Sequence, residues 1–291
     1  MNQVLTLISN TQDAAVSNKI KDKYVSLLNA SHCNWLNRNI ALDIYFDDEA
    51  PGEILHMLEA ENLDYAFQDP LTRSKKLLIA DMDSTIINVE CLDEIADFLG
   101  IKGKVSPITE AAMRGEINFE DALNERVSLL KGLNIANLQT IFNERVKLNP
   151  GAITMVRTMN ANGANTVLIS GGFTYFTERV SKATGFKANY ANILLHKNGE
   201  LTGKVKKPIV DANTKIETLR QFQKKGNLKN CETIAIGDGA NDIPMLLGAG
   251  IGVGYYPYPA TAQASDVKIK HGDLTALLYL QGYTLSDFVD S

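Results

Sequence analysis

Three short apolar runs, each ending in a cluster of small polar residues, constrain this chain more than any other feature. Lys76-Leu77-Leu78-Ile79-Ala80 leads into Asp81-Met82-Asp83-Ser84-Thr85. Thr166-Val167-Leu168-Ile169 leads into Ser170-Gly171-Gly172, and Glu232-Thr233-Ile234-Ala235-Ile236 into Gly237-Asp238-Gly239-Ala240-Asn241-Asp242. Uninterrupted apolar runs of this length predict strands covered on both faces, as in parallel sheets. Residues 250–253 and 267–269 predict two more strands, and helical patterns separate all five. That alternation predicts a doubly wound, Rossmann-like α/β sheet. In such open sheets ligands bind beyond the carboxyl ends of the strands. The three polar clusters are therefore expected to converge on one site.

The 291 residues are enough for roughly two domains. Residues 1–73 hold 11 acidic and 5 basic side chains, a net of -6, whereas the whole chain carries only -5. This shift predicts a small acidic domain over residues 1–73 and a larger, nearly neutral one over 74–291. Proline and small polar residues at 69–74 predict an extended connection. In the first part, residues 4–8, 41–46 and 64–67 read as strands and 13–28 and 53–61 as helices, a small α+β domain. Trp35, His32 and His56 are assigned structural roles there. In the second part, residues 92–149 form a helical insertion too long for a simple crossover, and so a cap. Residues 192–206 carry Asn198-Gly199 between alternating segments, which predicts a hairpin.

Chemistry follows from the polar clusters. Asp81 and Asp83, two apart at a strand end, are expected on one side of the chain. Neighbouring carboxylates repel unless neutralised, and a hard cation such as Mg²⁺ takes oxygen ligands. Asp238 is placed to supply a third carboxylate, with Asp242 as a ligand or a supporting partner one turn on. Any one of these aspartates alone would be read as a helix or turn cap. Their recurrence at matched strand ends points to a site. Ser170-Gly171-Gly172 offers a hydroxyl and approachable backbone N–H groups, suited to an anion. A serine nucleophile is disfavoured, because the G-x-S-x-G elbow and a matching histidine are missing. Lys215 is a candidate point charge for a phosphate, although a lone lysine is more often a solvated surface group.

Other features exclude functions. No basic stripe marks a nucleic-acid binder. No apolar run reaches the length of a membrane span, and the first residues do not read as a secretory signal. Cys33, Cys91 and Cys231 are odd in number and far apart, fitting neither a disulfide framework nor a zinc knuckle, so a cytoplasmic location is expected. Gly248, Gly250, Gly252 and Gly254 lack the strand-loop-helix setting of a dinucleotide fingerprint and are read as packing and turn positions. Tyr255, Tyr256 and Tyr258, near Pro257 and Pro259, are read as loop anchors.

Taken together, Asp81-x-Asp83-x-Thr85, Ser170-Gly171-Gly172, Lys215 and Gly237-Asp238-Gly239-x-Asn241-Asp242 resemble the four motifs of the haloacid dehalogenase superfamily. The resemblance runs from about Lys75 to the C-terminus. Within the superfamily the chain is similar to the group that hydrolyses O-phospho-L-serine, a step of serine biosynthesis. The resemblance implies Asp81 as nucleophile, forming an aspartyl-phosphate, and Asp83 as general acid and base. It implies Mg²⁺ on Asp81, the backbone carbonyl of Asp83 and Asp238, with Asp242 in support. Ser170, Gly171, Lys215 and Asn241 would bind phosphate or substrate. P-type ATPases share the aspartyl-phosphate chemistry but carry D-K-T-G-T, which is absent here.

The same resemblance assigns Glu90 to the substrate ammonium and Arg126 to its carboxylate, with Met113 and Phe119 as apolar cap positions closing over it. Taken without it, Arg126 reads as a helix-surface arginine and Glu90 as an ordinary glutamate. Both would serve any α-amino acid, so phosphohomoserine and phosphothreonine stand as rival substrates. Some superfamily members carry an N-terminal amino-acid-binding domain of the ACT type, and residues 1–73 are compared with a divergent version of it. Homodimerisation, feedback by serine and an amino-acid sensor are the readings this opens. A catalytically dead scaffold is disfavoured by the intact Asp81, Asp83, Lys215 and Asp238.

Overall fold

The computed structural model describes residues 3–48, 50–113 and 116–289, with the Met113 side chain outside the described part. The first unit runs β1 (Gln3–Ile8), α1 (Asn18–Leu27), β2 (His32–Asn37), β3 (Ala41–Phe46), α2 (Ile54–Glu59) and β4 (Asp64–Gln68). Its sheet has the order β2-β3-β1-β4 and is antiparallel throughout. Leu5 and Leu7 of β1 oppose Ile44 and Leu42 of β3 and bury against Tyr24, Leu28, Ile54 and Leu58 of the two helices. Helix α1 starts at Asn18, not at residue 13. Ser17 caps it by accepting from the Ile20 N–H, and before it the chain turns, with Ala14 left-handed at φ 48°. Strand β2, unforeseen, is an edge strand whose His32 and Asn34 are exposed and whose Trp35 carries Arg38 over its ring. His32 stacks on Tyr45, while His56 is exposed and packs against nothing of that kind.

The second unit continues with β5 (Leu77–Ala80), α3 (Cys91–Phe98), α4 (Lys102–Met113), α5 (Phe119–Ser128), α6 (Ala136–Arg145) and α7 (Ala152–Ala161). Then come β6 (Asn165–Phe173), α8 (Thr174–Thr184), β7 (Ala188–Asn192), β8 (Leu194–Lys197) and β9 (Glu200–Val205). The chain ends with α9 (Ala212–Gly226), β10 (Thr233–Gly237), α10 (Ile243–Gly248), β11 (Ile251–Tyr255), α11 (Pro259–Ala264), β12 (Val267–Ile269) and α12 (Ala276–Leu280). The main sheet, β12-β11-β10-β5-β6-β7, is parallel. Leu77 and Ile79 face one core with Val167, Ile169, Ala235 and Leu219, whereas Leu78 and Ala80 face the other with Leu168, Ile234, Ile236 and Met155. Burial on both faces is why these strands read as unbroken apolar runs. β8 and β9 pair as a hairpin, with Asn198 and Gly199 both at positive φ, as a tight two-residue turn requires.

From β5 the chain builds outward through β6 and β7, then returns to build β10, β11 and β12 on the other side. The strand order reverses beside β5, so the crevice at its carboxyl end is where a doubly wound sheet binds ligands. Helices α3 to α6 are inserted in the chain between β5 and β6. The expected extended connection at 69–74 begins instead with an Asx turn, in which the Leu71 N–H donates to Asp69 Oδ1 at 2.8 Å. Arg73 then pairs with the buried Asp43 at 2.6 Å. Ile8, Leu36, Ile40, Ala41 and Ala66 of the first unit share a core with Leu274, Leu277 and Tyr279 of the second. The glycines of β11 are close-approach positions: a Cβ on Gly252 would lie 2.6 Å from the Leu246 carbonyl oxygen. Tyr255 is buried at a strand end and the Tyr256 hydroxyl donates to the Gly272 carbonyl, but Tyr258 is exposed and anchors nothing through its ring.

Candidate active site

The polar clusters after β5, β6 and β10 do meet. Lys215, on the first turn of α9, is fully buried, and its Nζ lies 2.5 Å from Asp81 Oδ1 and 2.6 Å from Asp242 Oδ1. Helix α9 begins where Asp211 caps it by accepting from the Thr214 N–H. That start delivers Lys215 beneath β5. Burial alone would favour the neutral amine, but the Asp242 and Asp81 carboxylates reverse this and hold Lys215 protonated, its pKa raised above the ordinary lysine value. Oxygens of Asp81, Asp238 and Asp242 lie within 4.8 Å of one another. Burial, then the Asp242 charge, push Asp81 well above the usual carboxylate range and Asp238 up to about 7. Three acids and one lysine leave excess negative charge. Hard oxygen donors under mutual repulsion fit Mg²⁺, which would relieve that excess.

The Asp83 carboxylate is not in this trio. Strand β5 ends at Ala80, and the chain then turns back on itself, with the Ile86 and Ile87 N–H groups both donating to the Met82 carbonyl. The expected extended strand end is therefore corrected to a turn, yet the two carboxylates stay near enough for the Asp83 charge to raise Asp81. Asp83 Oδ1 accepts from the Cys91 N–H at the start of α3 (2.9 Å), and Oδ2 accepts from the Ser170 hydroxyl (2.8 Å). The Ser170 oxygen in turn accepts from the Gly172 N–H at 2.8 Å. The hydroxyl thus orients Asp83. A Cβ at Gly172 would lie 2.7 Å from Asp83 Oδ2, so only glycine fits there.

Ser84, at the left-handed φ of 55°, donates to Glu90 Oε1 at 2.6 Å. Burial and the Asp83 charge push Glu90 up to about 8. Arg126, part-buried on α5, donates to the Thr109 hydroxyl at 3.2 Å. Burial lowers the Arg126 pKa, against the opposing charges of Asp93 and Glu90. Phe119 lies over Gly171: a Cβ there would be 3.1 Å from Phe119 Cζ. The Asn241 side chain lies beside Gly239. Met113 closes α4, and its side chain is outside the described residues.

Thr85, part of the first motif but given no role of its own, donates from Oγ1 to Asp238 Oδ1 at 3.2 Å. Three contributors escaped the sequence reading. The Cys91 N–H holds Asp83. Asn149 Nδ2 donates to the Thr85 and Ile87 carbonyls at 2.8 and 3.1 Å. Buried Asn192, at the end of β7, donates to the Gly171 and Val210 carbonyls at 2.9 and 3.1 Å. Only Asn192 had a usable signal, since it is a further polar residue at the carboxyl end of a strand.

Comparison with known proteins adds to this geometry. Residues 78–247 match the family model of haloacid dehalogenase-like hydrolases. A phosphoserine phosphatase of Albidiferax ferrireducens is 43% identical over 237 residues, covering 79% of this chain and 96% of that protein. A probable phosphoserine phosphatase from Vibrio cholerae superposes with a TM-score of 0.80 at 28% identity, covering 98% of this chain and 88% of that one. A phosphoserine phosphatase structure described as a phospho-aspartyl intermediate analogue superposes with a TM-score of 0.66 at 35% identity, covering 71% and 98%.

Proposed function

The chain belongs to the phosphoserine phosphatase group of the haloacid dehalogenase-like hydrolases, and from this premise we propose that it hydrolyses O-phospho-L-serine to L-serine and phosphate through Asp81. The observation that carries the reading is the buried Asp81–Lys215–Asp242 cluster beside Asp238 at the strand-order reversal. Lys215 fixes one Asp81 oxygen, which leaves the other to attack phosphorus as the bond to the serine oxygen breaks. Asp83, pinned by the Cys91 N–H and the Ser170 hydroxyl, gives a proton to the departing serine oxygen. It then takes one from the water that attacks phosphorus and frees Asp81. Mg²⁺, held by Asp81, the Asp83 carbonyl and Asp238 with Asp242 in support, would neutralise charge between phosphate and nucleophile. Ser170, Gly171, Lys215 and Asn241 hold the phosphoryl oxygens.

For selectivity, Glu90 takes the substrate ammonium and Arg126 its carboxylate, with Phe119 and Met113 as apolar cover. The weakened acidity of Glu90, raised to about 8 by burial and then by the Asp83 charge, supports this role, because an arriving ammonium would bring the positive charge that favours its carboxylate. Arg126→Ala is expected to raise KM for O-phospho-L-serine about 10- to 100-fold, the worth of a charged hydrogen bond. Its effect on p-nitrophenyl phosphate, which has no carboxylate, should be within twofold. Equal losses on both esters would remove Arg126 from substrate recognition and reopen phosphohomoserine and phosphothreonine as substrates. Residues 1–73 are assigned a regulatory role, with homodimerisation and serine feedback, which a serine titration of the rate checks. The free thiols of Cys33, Cys91 and Cys231 support a reducing, cytoplasmic setting.

A further inference from the structure

Buried Asp64 of β4 reaches out of the N-terminal sheet into the loop after β12. Its Oδ1 accepts from the Lys270 N–H at 2.7 Å and its Oδ2 from the Gly272 N–H at 2.7 Å. The His271 N–H is shared between them at 3.1 and 3.2 Å. Three successive N–H groups around one anion form a nest, here filled by a carboxylate of the other unit. Gly272 is packed against it, since a Cβ there would lie 3.1 Å from Asp64 Oδ2 and 3.5 Å from Ile8 Cγ2.

The clasped loop continues toward the catalytic turn. The Leu274 N–H donates to the Pro150 carbonyl at 3.0 Å, and Asp273 accepts from the Thr275 N–H directly against Gly151. Neighbouring Asn149 binds three consecutive carbonyls: its N–H donates to Ile86 at 2.8 Å and its Nδ2 to Thr85 and Ile87. Thr85 then holds Asp238. A more direct route between the units is interrupted. A cavity of about 380 Å³ lies between Asn10 and Gln12 of the N-terminal unit and Ser84 and Asn88 of the catalytic turn. Contact therefore passes along its wall, through residues 270–274 and 149–150.

We propose that Asp64 is a positioning residue for catalysis: by clasping residues 270–272 it holds the Asn149-supported turn 82–87, and with it Asp83 and Asp238, in working geometry. This rests on the phosphatase reading for its kinetic consequence, though not for its structural one. Asn at this position would set an amide NH₂ against the backbone donors and open the clasp.

The test compares Asp64→Asn with Asn37→Ala. The latter removes a different hydrogen bond between the units, Asn37 Nδ2 to the Tyr279 hydroxyl at 2.8 Å, from the N-terminal side. Asp64→Asn should lower kcat for O-phospho-L-serine about tenfold with KM changed less than twofold, and should speed amide exchange across residues 82–88. Asn37→Ala should leave both at wild-type values. An Asp64→Asn protein that melts lower yet matches Asn37→Ala in kcat and in exchange would overturn the proposal. If Asp64→Asn does not fold, Asp64→Glu, which shifts the carboxylate by one methylene, decides it. A several-fold lower kcat at constant KM supports the clasp, and wild-type kcat refutes it. Exchange needs no substrate, so a wild-type protein inactive on phosphoserine would sink the phosphatase reading alone and leave the clasp testable.

Discussion

Asp81→Asn is expected to abolish phosphate release, by on the order of 10⁴-fold or more, while leaving the metal-free protein at least as stable as wild type. The kinetic half follows from the role of Asp81. An amide oxygen is a poor nucleophile, and the Ser170 hydroxyl, which donates to Asp83 and accepts from the Gly172 N–H, is not placed to replace it. The stability half follows from charge. Asp81 is buried among Asp242, Asp238 and Asp83, and only Lys215 opposes their repulsion. Neutralising one member of an over-negative cluster relieves strain in the absence of a cation. Turnover and urea denaturation measured on the same preparation check both halves. A variant that is inactive because it is unfolded would contradict the second half, and one retaining a tenth of wild-type activity would contradict the first.

Lys215→Met is expected to be costly in both respects. The lysine is fully buried with two carboxylates within 2.6 Å, and removing one partner of a buried ion pair typically costs about 3–5 kcal/mol. The cost is pH-dependent with a definite sign. Without the ammonium, the folded state holds protons on its carboxylates more tightly than the unfolded chain does, so stability falls as pH rises through the carboxylate range. Asp238, already pushed up to about 7 in the intact cluster, moves in the same direction. The deficit relative to wild type should therefore be largest at pH 7 and smaller at pH 5, as read by urea midpoints at the two values. An equal midpoint for variant and wild type at pH 7 would show that the cluster is not held together as described. Activity should fall with it, because the phosphate loses a cation and Asp81 its tether.

The parallel core was legible because β5, β6 and β10 are buried on both faces and so carry short apolar runs rich in Leu, Ile, Val and Ala. The β8–β9 hairpin was legible because Asn198-Gly199 is one of few pairs that accept two consecutive positive φ angles. β2 and β7 were not, for a shared reason. Each is an edge strand written largely in polar residues (HCNWLN and ANYAN), so neither shows an apolar run nor a clean alternation. The early start given to α1 came from extending its pattern back through Asp13, past Ser17, whose side chain sets the first turn. At the site, Asp81 and Asp238 could be anticipated because strand ends in an open sheet converge. The Cys91 N–H, Asn149 and the Asp64 clasp could not, because each acts through main-chain groups whose hydrogen bonds depend on the fold, across 64 residues for Asn149 and 206 for Asp64. No local spacing records such contacts.

If the three strand-end clusters make one magnesium-dependent site for O-phospho-L-serine, the decisive experiment is initial rates of phosphate release from O-phospho-L-serine, O-phospho-L-threonine and p-nitrophenyl phosphate, each with Mg²⁺ and with EDTA. Release from O-phospho-L-serine should be rapid, lost in EDTA and restored by Mg²⁺, with much slower release from the other two esters. Folded, magnesium-loaded protein that releases phosphate from none of them, or equally fast in EDTA, would contradict this reading.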